Sequence, residues 1–531
     1  MFCDGDPLRE HKSSQSVFRR IAVNPPPWLS LVVSSVAGLI YGFAFPSTAI
    51  WPLSFLAVAL FLWSLQGRSW WMGLLCGLAF GITLWFPLID WLTLYLGPIP
   101  WIGLAGFQSL YLGVLGAAIA LVYRLFQRLP NTWLLKLVVL PVVLASLWVA
   151  RESVAGRWPW GGFAWARLSA SQVNGPFAPL ASWLGGIGLS FFCAWLAASL
   201  AMWVVHWMTV RPPARVLVVS VCVVILGLIT PIFPVTYGPP MRIAAVQGNT
   251  KSGLFDVVHP GDNLIAHENA TLEDVREPVD LIVWPENASD VDPLTNSSSA
   301  MILTALSEKY RAPLLVGTIT TTPDNRFYNS ALLWDGSHAV GQYDKIHPVP
   351  FAEYMPVREF FHLIVPDLVD LVTRDYSFGT RSNVLEVDGN RLAVSICFDI
   401  VDDDQTSTLV NNGASAIISM TNNADFGYTD ESAQQLQIAK LRALESGLYV
   451  VNISTVGTSA VIDPRGNTVD ELPAHTPGAL TNDIPIARGG ALGARMNMVI
   501  ELVTSLVALL VCGYAIYAVF ISKPRPRRAR K

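Results

Sequence analysis

The run Arg391-Leu-Ala-Val-Ser-Ile-Cys397-Phe-Asp399 decides how the second half of the chain is interpreted. Its β-forming residues end on a cysteine, so the sulfur is predicted to lie where a strand turns towards a helix, a position that often displays nucleophiles. Between Met241 and Gly490 there is no other cysteine, so Cys397 has no partner there for a structural disulfide. It is a candidate nucleophile, although a single cysteine after a β-run is more often a small buried apolar residue.

Short β-rich runs surround this motif and alternate with helical and turn segments. Strands that are apolar throughout, separated by helices, indicate a sheet covered by helices. The sequence therefore predicts a layered α/β domain over residues 241–490, which is long enough to bury its own core. The predicted strands are 242–247, 280–284, 313–317, 391–396, 414–419 and 448–452, and the clearest helix is 432–446.

The rest of the chain has the composition of a membrane protein. Of its 531 residues, 52% are hydrophobic and 14% are charged, whereas a soluble protein carries roughly 25% charged residues. About eight apolar windows are long enough to cross a bilayer, which needs roughly 17 to 25 residues. These windows are 28–46, 48–65, 70–91, 98–123, 133–150, 181–208, 214–234 and 496–521.

The distribution of lysine and arginine predicts the topology, because short cytoplasmic loops are enriched in both. Basic residues cluster in both tails and in alternate loops, except for Arg151, Arg157 and Arg167 on the opposite side. This pattern predicts a cytoplasmic N-terminal tail (1–27), a seven-helix transmembrane region (28–234), an extracytoplasmic catalytic domain (241–490), a C-terminal transmembrane helix (496–521) and a basic cytoplasmic tail (522–531). The clustered residues are Arg9, Lys12, Arg19, Arg20, Arg68, Arg124, Arg128, Lys136, Arg211, Arg215, Lys523, Arg525, Arg527, Arg528, Arg530 and Lys531.

Charge and cysteine spacing argue against two classes of function. A net charge of −4, with basic residues at membrane edges, does not suggest a nucleic-acid partner. The six cysteines form no Cys-x-x-Cys pair and no cluster with histidine at zinc-like spacing. We therefore predict neither a metal nor a cofactor.

Two further motifs supply groups that could activate the thiol. Asp280-Leu-Ile-Val-Trp-Pro-Glu286 delivers a carboxylate at the end of a strand, and Tyr343-Asp-Lys345-Ile-His-Pro-Val-Pro-Phe-Ala-Glu353 places a lysine in a loop. Because open α/β sheets bind ligands at the carboxyl ends of strands, Glu286 and Cys397 are expected to be neighbours. Taken singly, Glu286 could instead favour a helix N-terminus, and Lys345 could be a solvated charge.

Taken together, the three residues suggest acyl transfer. An unperturbed cysteine is only about 3% thiolate at neutral pH, so Glu286 would have to accept its proton. Lys345 would lower the pKa of the thiol and stabilise the oxyanion of a tetrahedral intermediate, with the backbone N–H of Phe398 as a second donor.

These motifs resemble the catalytic elements of the nitrilase superfamily, whose αββα sandwich carries a Glu-Lys-Cys triad. With apolar helices before and after the domain, and the loop Arg157-Trp-Pro-Trp-Gly-Gly-Phe-Ala-Trp, the whole chain is similar to the apolipoprotein N-acyltransferase family. The resemblance implies that Glu286 is the general base, Lys345 the oxyanion-stabilising cation and Cys397 the acyl-accepting nucleophile. It also implies that Glu353 orients Lys345.

The chain departs from the family pattern at two places. Cys397-Phe398-Asp399 stands where Cys-Tyr-Glu is frequent, so the supporting carboxylate is one methylene shorter. Asn422-Asn-Ala-Asp425-Phe-Gly427 stands where Asn-Asp-Ala-Trp-Phe-Gly is frequent, which removes an aromatic side chain that could contact acyl chains.

The implied reaction moves a fatty acyl chain from a membrane phospholipid, through a Cys397 thioester, to the α-amino group of a diacylglyceryl-cysteine apolipoprotein. This would take place in a bacterial cytoplasmic membrane, as the last step of lipoprotein maturation. Two alternatives stay open: a membrane-tethered hydrolase of the amidase or nitrilase type, and a scaffold for a polyprenyl-phosphate mannosyltransferase.

One segment beside the lysine motif has two interpretations. Residues 357–372 have apolar residues near helical spacing, interrupted by Pro366. They could form a lid that touches the bilayer surface beside the site, or an ordinary amphipathic core helix.

Overall fold

The computed structural model of the protein describes residues 24–209, 214–250, 253 and 259–521. The predicted basic tail 522–531, nearly all of the predicted tail 1–27 and Arg211 lie outside these ranges.

The first part of the described chain is a bundle of apolar helices. In chain order they are α1 (Pro27–Gly42), α2 (Pro52–Ser64), α3 (Trp70–Leu88), α4 (Leu92–Leu96), α5 (Pro98–Arg128), α6 (Leu140–Ala155, after a π-helical turn Leu135–Val139), α7 (Ala181–Thr209) and α8 (Ala214–Ile229). Helices α3 and α5 approach closely because glycines face each other: a Cβ on Gly77 would lie 2.0 Å from the carbonyl oxygen of Leu112. Small residues at helix contacts are typical of membrane bundles.

The α/β domain follows. Its elements are β1 (Tyr237–Gln247), α9 (Asp262–Asp274), β2 (Leu281–Val283), α10 (Ser297–Tyr310), β3 (Leu314–Thr321), β4 (Phe327–Asp335), β5 (His338–Asp344), α11 (Arg358–His362), α12 (Pro366–Val369), β6 (Val384–Val387), β7 (Asn390–Ile396), α13 (Asp403–Asn411), β8 (Ala416–Thr421), α14 (Glu431–Ser446), β9 (Val450–Ser454), β10 (Ser459–Ile462), β11 (Thr468–Leu472) and β12 (Gly478–Ala487). The chain then continues into the long apolar helix α15 (Leu492–Ile516).

The strands form two six-stranded sheets of matching design. The first has the order β12-β1-β2-β3-β4-β5 and the second has the order β11-β10-β9-β8-β7-β6. Strands β1, β2 and β3 are parallel in the first sheet, and β7, β8 and β9 are parallel in the second. All six predicted strands and the predicted helix 432–446 coincide with elements of this domain.

Three apolar layers hold the domain together. Side chains of both sheets, such as Ile243 and Val394, share one core, so the sheets lie face to face. Helices α9 and α10 cover the outer face of the first sheet. Helices α13 and α14 cover the second, in a core that also contains residues of the membrane helices. The predicted class, a sandwich of the αββα type joined to polytopic helices, is confirmed.

Five helical segments are long and apolar enough to cross a membrane: Trp70–Leu88, Pro98–Arg128, Leu135–Ala155, Ala178–Trp207 and Leu492–Ile521. Three of the predicted windows correspond to shorter apolar helices, α1, α2 and α8, of 16, 13 and 16 residues. The protein is therefore a multi-pass membrane protein, and length alone supports five of the eight predicted spans.

A buried ion network connects the α/β domain to the membrane helices. Arg442 of α14 donates to Asp403 Oδ1 at 2.9 Å and to Glu445 Oε1 at 2.8 Å. Arg167, in the segment that leads into α7, pairs with the other oxygen of Asp403. Glu445 accepts from the backbone N–H of Gly186 in α7 at 3.0 Å. Arg442 also donates to two backbone carbonyls of the turn that follows β7. The membrane region thus helps to position that turn.

Candidate active site

The turn after β7 displays Cys397. It opens a 3₁₀ turn, Cys397–Val401, at the end of the strand. Its φ angle is +49°, in the left-handed region that residues other than glycine seldom adopt. A backbone held in this region at a strand-to-helix turn is typical of an exposed nucleophile. The thiol is half-buried and packs against the edge of the core between the two sheets.

Two carboxylates and a lysine meet beside this turn. Lys345 Nζ lies 3.4 Å from Glu286 Oε1 and 2.8 Å from Glu353 Oε2. Asn329 of β4 bridges the same carboxylates, because its Nδ2 donates to Glu286 Oε1 at 2.7 Å and to Glu353 Oε1 at 2.8 Å. The backbone N–H of Val349 donates to Glu353 Oε2 at 2.7 Å. Glu353 thus pairs directly with Lys345 and shares Asn329 with Glu286.

Burial and charge set the protonation states of this cluster. Burial would lower the pKa of Lys345, but the carboxylates of Glu353 and Glu286 outweigh it and raise that pKa well above its usual value. Lys345 is therefore a permanent cation, only 1% exposed. Burial raises the pKa of Glu286, and the positive charge of Lys345 opposes that rise. A carboxylate with a raised pKa is a stronger base than an exposed one.

The same balance acts on the thiol. Burial raises the pKa of Cys397 well above its usual value, the charge of Glu286 raises it further, and the charge of Lys345 lowers it. Lys345 acts in the direction expected from the sequence, but burial is the larger effect. The resting sulfur is therefore a protonated thiol, and a base must remove its proton during attack.

Glu286 and Cys397 each follow a parallel strand, as the sequence predicted, but the two strands belong to different sheets. Glu286 follows β2 of the first sheet, and Cys397 follows β7 of the second. The carboxyl ends of both sheets meet, as shown by Thr455, which follows β9 and donates to the backbone carbonyl of Glu286 at 2.9 Å. Face-to-face packing of two parallel cores, and not the edge of a single sheet, brings the motifs together.

Asp399 supports the site through the loop that carries the lysine. Its Oδ2 accepts from Tyr343 Oη at 2.6 Å, and its Oδ1 accepts from the backbone N–H of His347 at 3.0 Å. The residues on both sides of Lys345 are thus tied to the nucleophile turn. Phe398 points the other way, and its ring stacks on Phe163 of the membrane region, with centroids 6.3 Å apart.

A small cavity separates the nucleophile turn from the membrane region. Its volume is about 210 Å³. One wall is the loop between α6 and α7, which contributes Trp160, and another is the loop after Lys345. Its lining combines aromatic rings with few polar groups, as expected of a site for an apolar ligand. The lining residues are Gly156, Trp160, Gly161, Ala164, His347, Pro348, Pro350, Tyr354, Phe378, Phe398, Val401 and Asp402.

Segment 357–372 does not form the core helix that was one of its two interpretations. It contains only the short helices α11 and α12. Leu363 is 86% exposed, and Phe360 and Ile364 are more than half exposed. Phe361 contacts Trp160 on the cavity wall, with ring centroids 5.7 Å apart. The segment therefore presents apolar side chains outwards beside the entrance of the cavity.

Several residues of the site carried no recognisable motif in the sequence. Asn329 lies within an ordinary apolar strand, and Glu431 and Gln435 lie within α14, far along the chain from the lysine motif. Asn423 belongs to the run 422–427 quoted above, where the sequence assigned no role to it. Gln435 Nε2 lies 3.8 Å from Cys397 Sγ. Buried polar residues in otherwise apolar elements were the sole indication that the sequence offered.

Glu431 gives this site a measurable pH dependence. Burial raises its pKa from 4.5 to about 8. Between these two pH values the folded protein holds a proton that the unfolded chain has lost, so stability falls as pH rises from about 4.5 to about 8. The full cost is on the order of 5 kcal/mol, since one pKa unit corresponds to about 1.4 kcal/mol. Glu431→Gln should therefore raise the melting temperature by several degrees more at pH 9 than at pH 5.

The control for this prediction is Glu308→Gln, an exposed position on α10. It should leave the melting temperature unchanged at both pH values. Equal shifts at pH 5 and pH 9 for Glu431→Gln would show that its carboxyl does not titrate in this range.

Comparison with known proteins agrees with this architecture. The family model of the apolipoprotein N-acyltransferase N-terminal domain matches residues 37–199, and the carbon-nitrogen hydrolase model matches residues 242–493. The chain is 31% identical to the apolipoprotein N-acyltransferase of Mycolicibacterium smegmatis over 527 residues, which cover 91% of this chain and 84% of the relative. It is 29% identical to that of Azotobacter vinelandii, covering 88% of this chain and 91% of the relative.

Among solved structures, the match to an amidase from a Nesterenkonia species covers 47% of this chain and 92% of the amidase chain, with a TM-score of 0.37 and 19% sequence identity. The two family models together span both the membrane helices and the sandwich, and the similarity to full-length relatives crosses the junction between them. The chain belongs to the apolipoprotein N-acyltransferase family.

Proposed function

We propose that the protein transfers a fatty acyl chain from a membrane phospholipid, through a thioester on Cys397, to the α-amino group of the diacylglyceryl-cysteine of apolipoproteins. The observation that carries this proposal is the buried cluster of Glu286, Lys345 and Glu353, which acts on a protonated thiol beside a cavity walled partly by the membrane region. Relatives that match nearly the whole chain are named apolipoprotein N-acyltransferase, which supports the proposed substrates.

In the first half of the reaction, Glu286 takes the thiol proton as Cys397 Sγ attacks the ester carbonyl carbon of the phospholipid. Lys345 Nζ and the backbone N–H of Phe398 stabilise the oxyanion. The C–O bond then breaks, and the proton on Glu286 passes to the departing oxygen. The products are a lysophospholipid and the Cys397 thioester.

In the second half, the neutral α-amino group of the lipopeptide attacks the thioester carbon. Glu286 accepts a proton from the attacking nitrogen, the C–S bond breaks, and the same proton returns to sulfur. The thiol is restored and an amide is formed, with no net change in the protonation of the enzyme. A thioester is reactive enough for this step without ATP, and a lining poor in polar groups disfavours hydrolysis.

The location of the site follows from the proposed topology. The distribution of lysine and arginine in the short loops supports a location of residues 241–490 on the extracytoplasmic side of a bacterial cytoplasmic membrane. The exposed Leu363 and Ile364 would then lie at the bilayer surface, where segment 357–372 could act as a lid over the cavity. If so, amide hydrogen exchange in this segment should slow when the protein is moved from detergent into nanodiscs.

Mass spectrometry tests the proposed reaction directly. Full-length protein incubated with phospholipid vesicles should gain one acyl mass on Cys397. Addition of a diacylglyceryl-cysteine peptide should remove that mass and yield the N-acylated peptide. A protein that gains no acyl mass would contradict the proposal.

The same experiment separates the two alternative functions. Release of free fatty acid at the same rate with and without the peptide would indicate a hydrolase. The scaffold is tested with a Cys397→Ala protein that folds normally. If a polyprenyl-phosphate mannosyltransferase is stable in the presence of this variant and unstable in its absence, the protein acts as a scaffold.

A further inference from the structure

Gln435 follows Cys397 along the chain, whereas Glu286 and Lys345 precede it, and its side chain contacts the sulfur of Cys397. It lies in α14, is 3% exposed, and its Nε2 is 3.8 Å from Cys397 Sγ. We propose that Gln435 is a further catalytic residue, whose side-chain N–H donates a hydrogen bond to the sulfur and stabilises the thiolate whenever it forms or departs. The inference rests on the proposed function, because it assigns a role within the same acyl transfer.

A hydrogen-bond network sets the orientation of the Gln435 amide. Its Oε1 accepts from Asn423 Nδ2 at 3.0 Å, and the same Nδ2 donates to Glu431 Oε2 at 2.7 Å. Asn423 Oδ1 accepts from Thr421 Oγ1 at 3.0 Å and from Ser454 Oγ at 2.6 Å. Both hydrogens and the oxygen of Asn423 are therefore in use.

Neither amide can be reversed without cost. Reversing Gln435 would place its NH₂ group against the NH₂ group of Asn423 and its oxygen against the sulfur. Reversing Asn423 would turn its NH₂ group towards two hydroxyls and its oxygen towards the carboxyl of Glu431. A satisfied network of this kind specifies one arrangement, and that arrangement directs the N–H of Gln435 at Cys397.

The thiolate needs this donor twice in each cycle. It forms when Glu286 removes the proton of Cys397, and it is the leaving group when the thioester is cleaved. Burial raises the pKa of the thiol, so the anion is costly without hydrogen bonds. A donor that binds the anion more strongly than the neutral thiol lowers that pKa and speeds both steps, and a hydrogen bond to a charged group accounts for roughly ten- to hundredfold in rate.

The adjacent Gln434 shows that this role belongs to one position of the helix. Its Oε1 accepts from Trp91 Nε1 at 3.2 Å and from Trp165 Nε1 at 2.6 Å, and its Nε2 donates to the carbonyl of Leu88 at 3.1 Å. Gln434 therefore fastens α14 to the membrane region. Gln435, one position further, faces the sulfur.

The test measures the thiolate itself. Full-length wild type, Gln435→Met and Gln435→Glu are treated with iodoacetamide across a range of pH, and alkylation of Cys397 is followed by mass spectrometry. Methionine removes the donor, so alkylation should slow about tenfold at any one pH below the midpoint. Glutamate turns an oxygen towards the sulfur, so the slowing should be greater. The charges that act on the thiol are present in all three proteins, so their effects cancel; they are those of Glu286, Lys345, Glu431 and Glu353.

The control is Gln437→Met, a buried glutamine two positions along the same helix, which should alkylate like the wild type. Coincident profiles for Gln435→Met and Gln437→Met would overturn the proposal. If Gln435→Met does not fold, Gln435→Glu keeps the size of the side chain and an oxygen for Asn423, and unchanged alkylation in that variant would overturn it equally. Failure of the wild type to form a thioester would contradict the proposed function, whereas the alkylation profiles would still decide the role of Gln435.

Discussion

A Cys397→Ala protein should form no acyl-enzyme and should lose N-acylation of lipopeptide by a factor of about 10⁴ or more. In the proposed reaction the sulfur of Cys397 carries the acyl chain, and the charges of Glu286 and Lys345 both act on that thiol. Without the covalent step, the amine would have to attack an oxygen ester directly, which is a far less reactive acyl donor. Intact-protein mass and a lipopeptide mobility assay measure both effects.

The same variant should fold as stably as the wild type. The thiol is half-buried, its side-chain hydrogen bond is to Gln435, and alanine would occupy the same left-handed backbone with no added strain. Its melting temperature should stay within about 2 °C of the wild type. Cys512→Ala, in the C-terminal helix, is the matched control and should keep full activity. Residual acyl transfer by Cys397→Ala would place the acyl-carrying atom elsewhere.

Lys345→Met should abolish activity and also destabilise the protein. Lys345 is fully buried between Glu286 and Glu353, and removal of one partner from a buried ion pair costs roughly 3 to 5 kcal/mol. Two carboxyl groups would then share the site without a cation. The oxyanion would lose its charged donor, and Glu286 would hold a proton and cease to act as a base. Thermal unfolding and the lipopeptide assay measure the two losses.

A second substitution distinguishes the two effects of Lys345. Glu353→Gln added to Lys345→Met removes the carboxylate that has lost its cation, so the double variant should regain part of the lost stability and none of the activity. The stability deficit of Lys345→Met should also shrink as pH falls, because the buried carboxyl of Glu286, whose pKa burial raises, then takes up a proton more readily. Lys309→Met, on the exposed face of α10, is the control. A Lys345→Met protein that keeps its acyl-transfer rate would exclude Lys345 from oxyanion stabilisation.

A small set of contacts joins the turn that carries Cys397 to the membrane region. Arg442 donates to carbonyls of the nucleophile turn and pairs with Asp403, which in turn pairs with Arg167 of the membrane region. On the other side of that turn, Phe398 stacks on Phe163. The turn that carries the thiol is therefore clamped between the sandwich and the helices, and rearrangement at either contact would displace the nucleophile.

The sequence by itself determined the elements and the chemistry of the three motifs. Apolar β-runs at 242–247 and 391–396 and windows such as 98–123 have a periodicity and length that leave few alternatives, because a buried strand and a membrane helix each need a continuous apolar run. Glu286 and Cys397 were identified because each ends such a run with a polar group, and Lys345 because it stands in a loop eight residues before Glu353.

Only the tertiary structure decided which groups meet. Glu286 and Cys397 lie on different sheets, and their proximity depends on two sheets packing face to face, a contact that has no fixed separation along the chain. Asn329 and Gln435 lie in elements whose local pattern is ordinary, so nothing in their neighbourhood indicated that they face a carboxylate or a sulfur. Burial shifts the pKa of Cys397 upwards. Burial depends on how the elements pack in three dimensions, so this shift could not be predicted from the sequence. The sequence therefore singled out Cys397 as the candidate nucleophile, and the packing of the two sheets against each other and against the membrane helices decided its protonation and its partners.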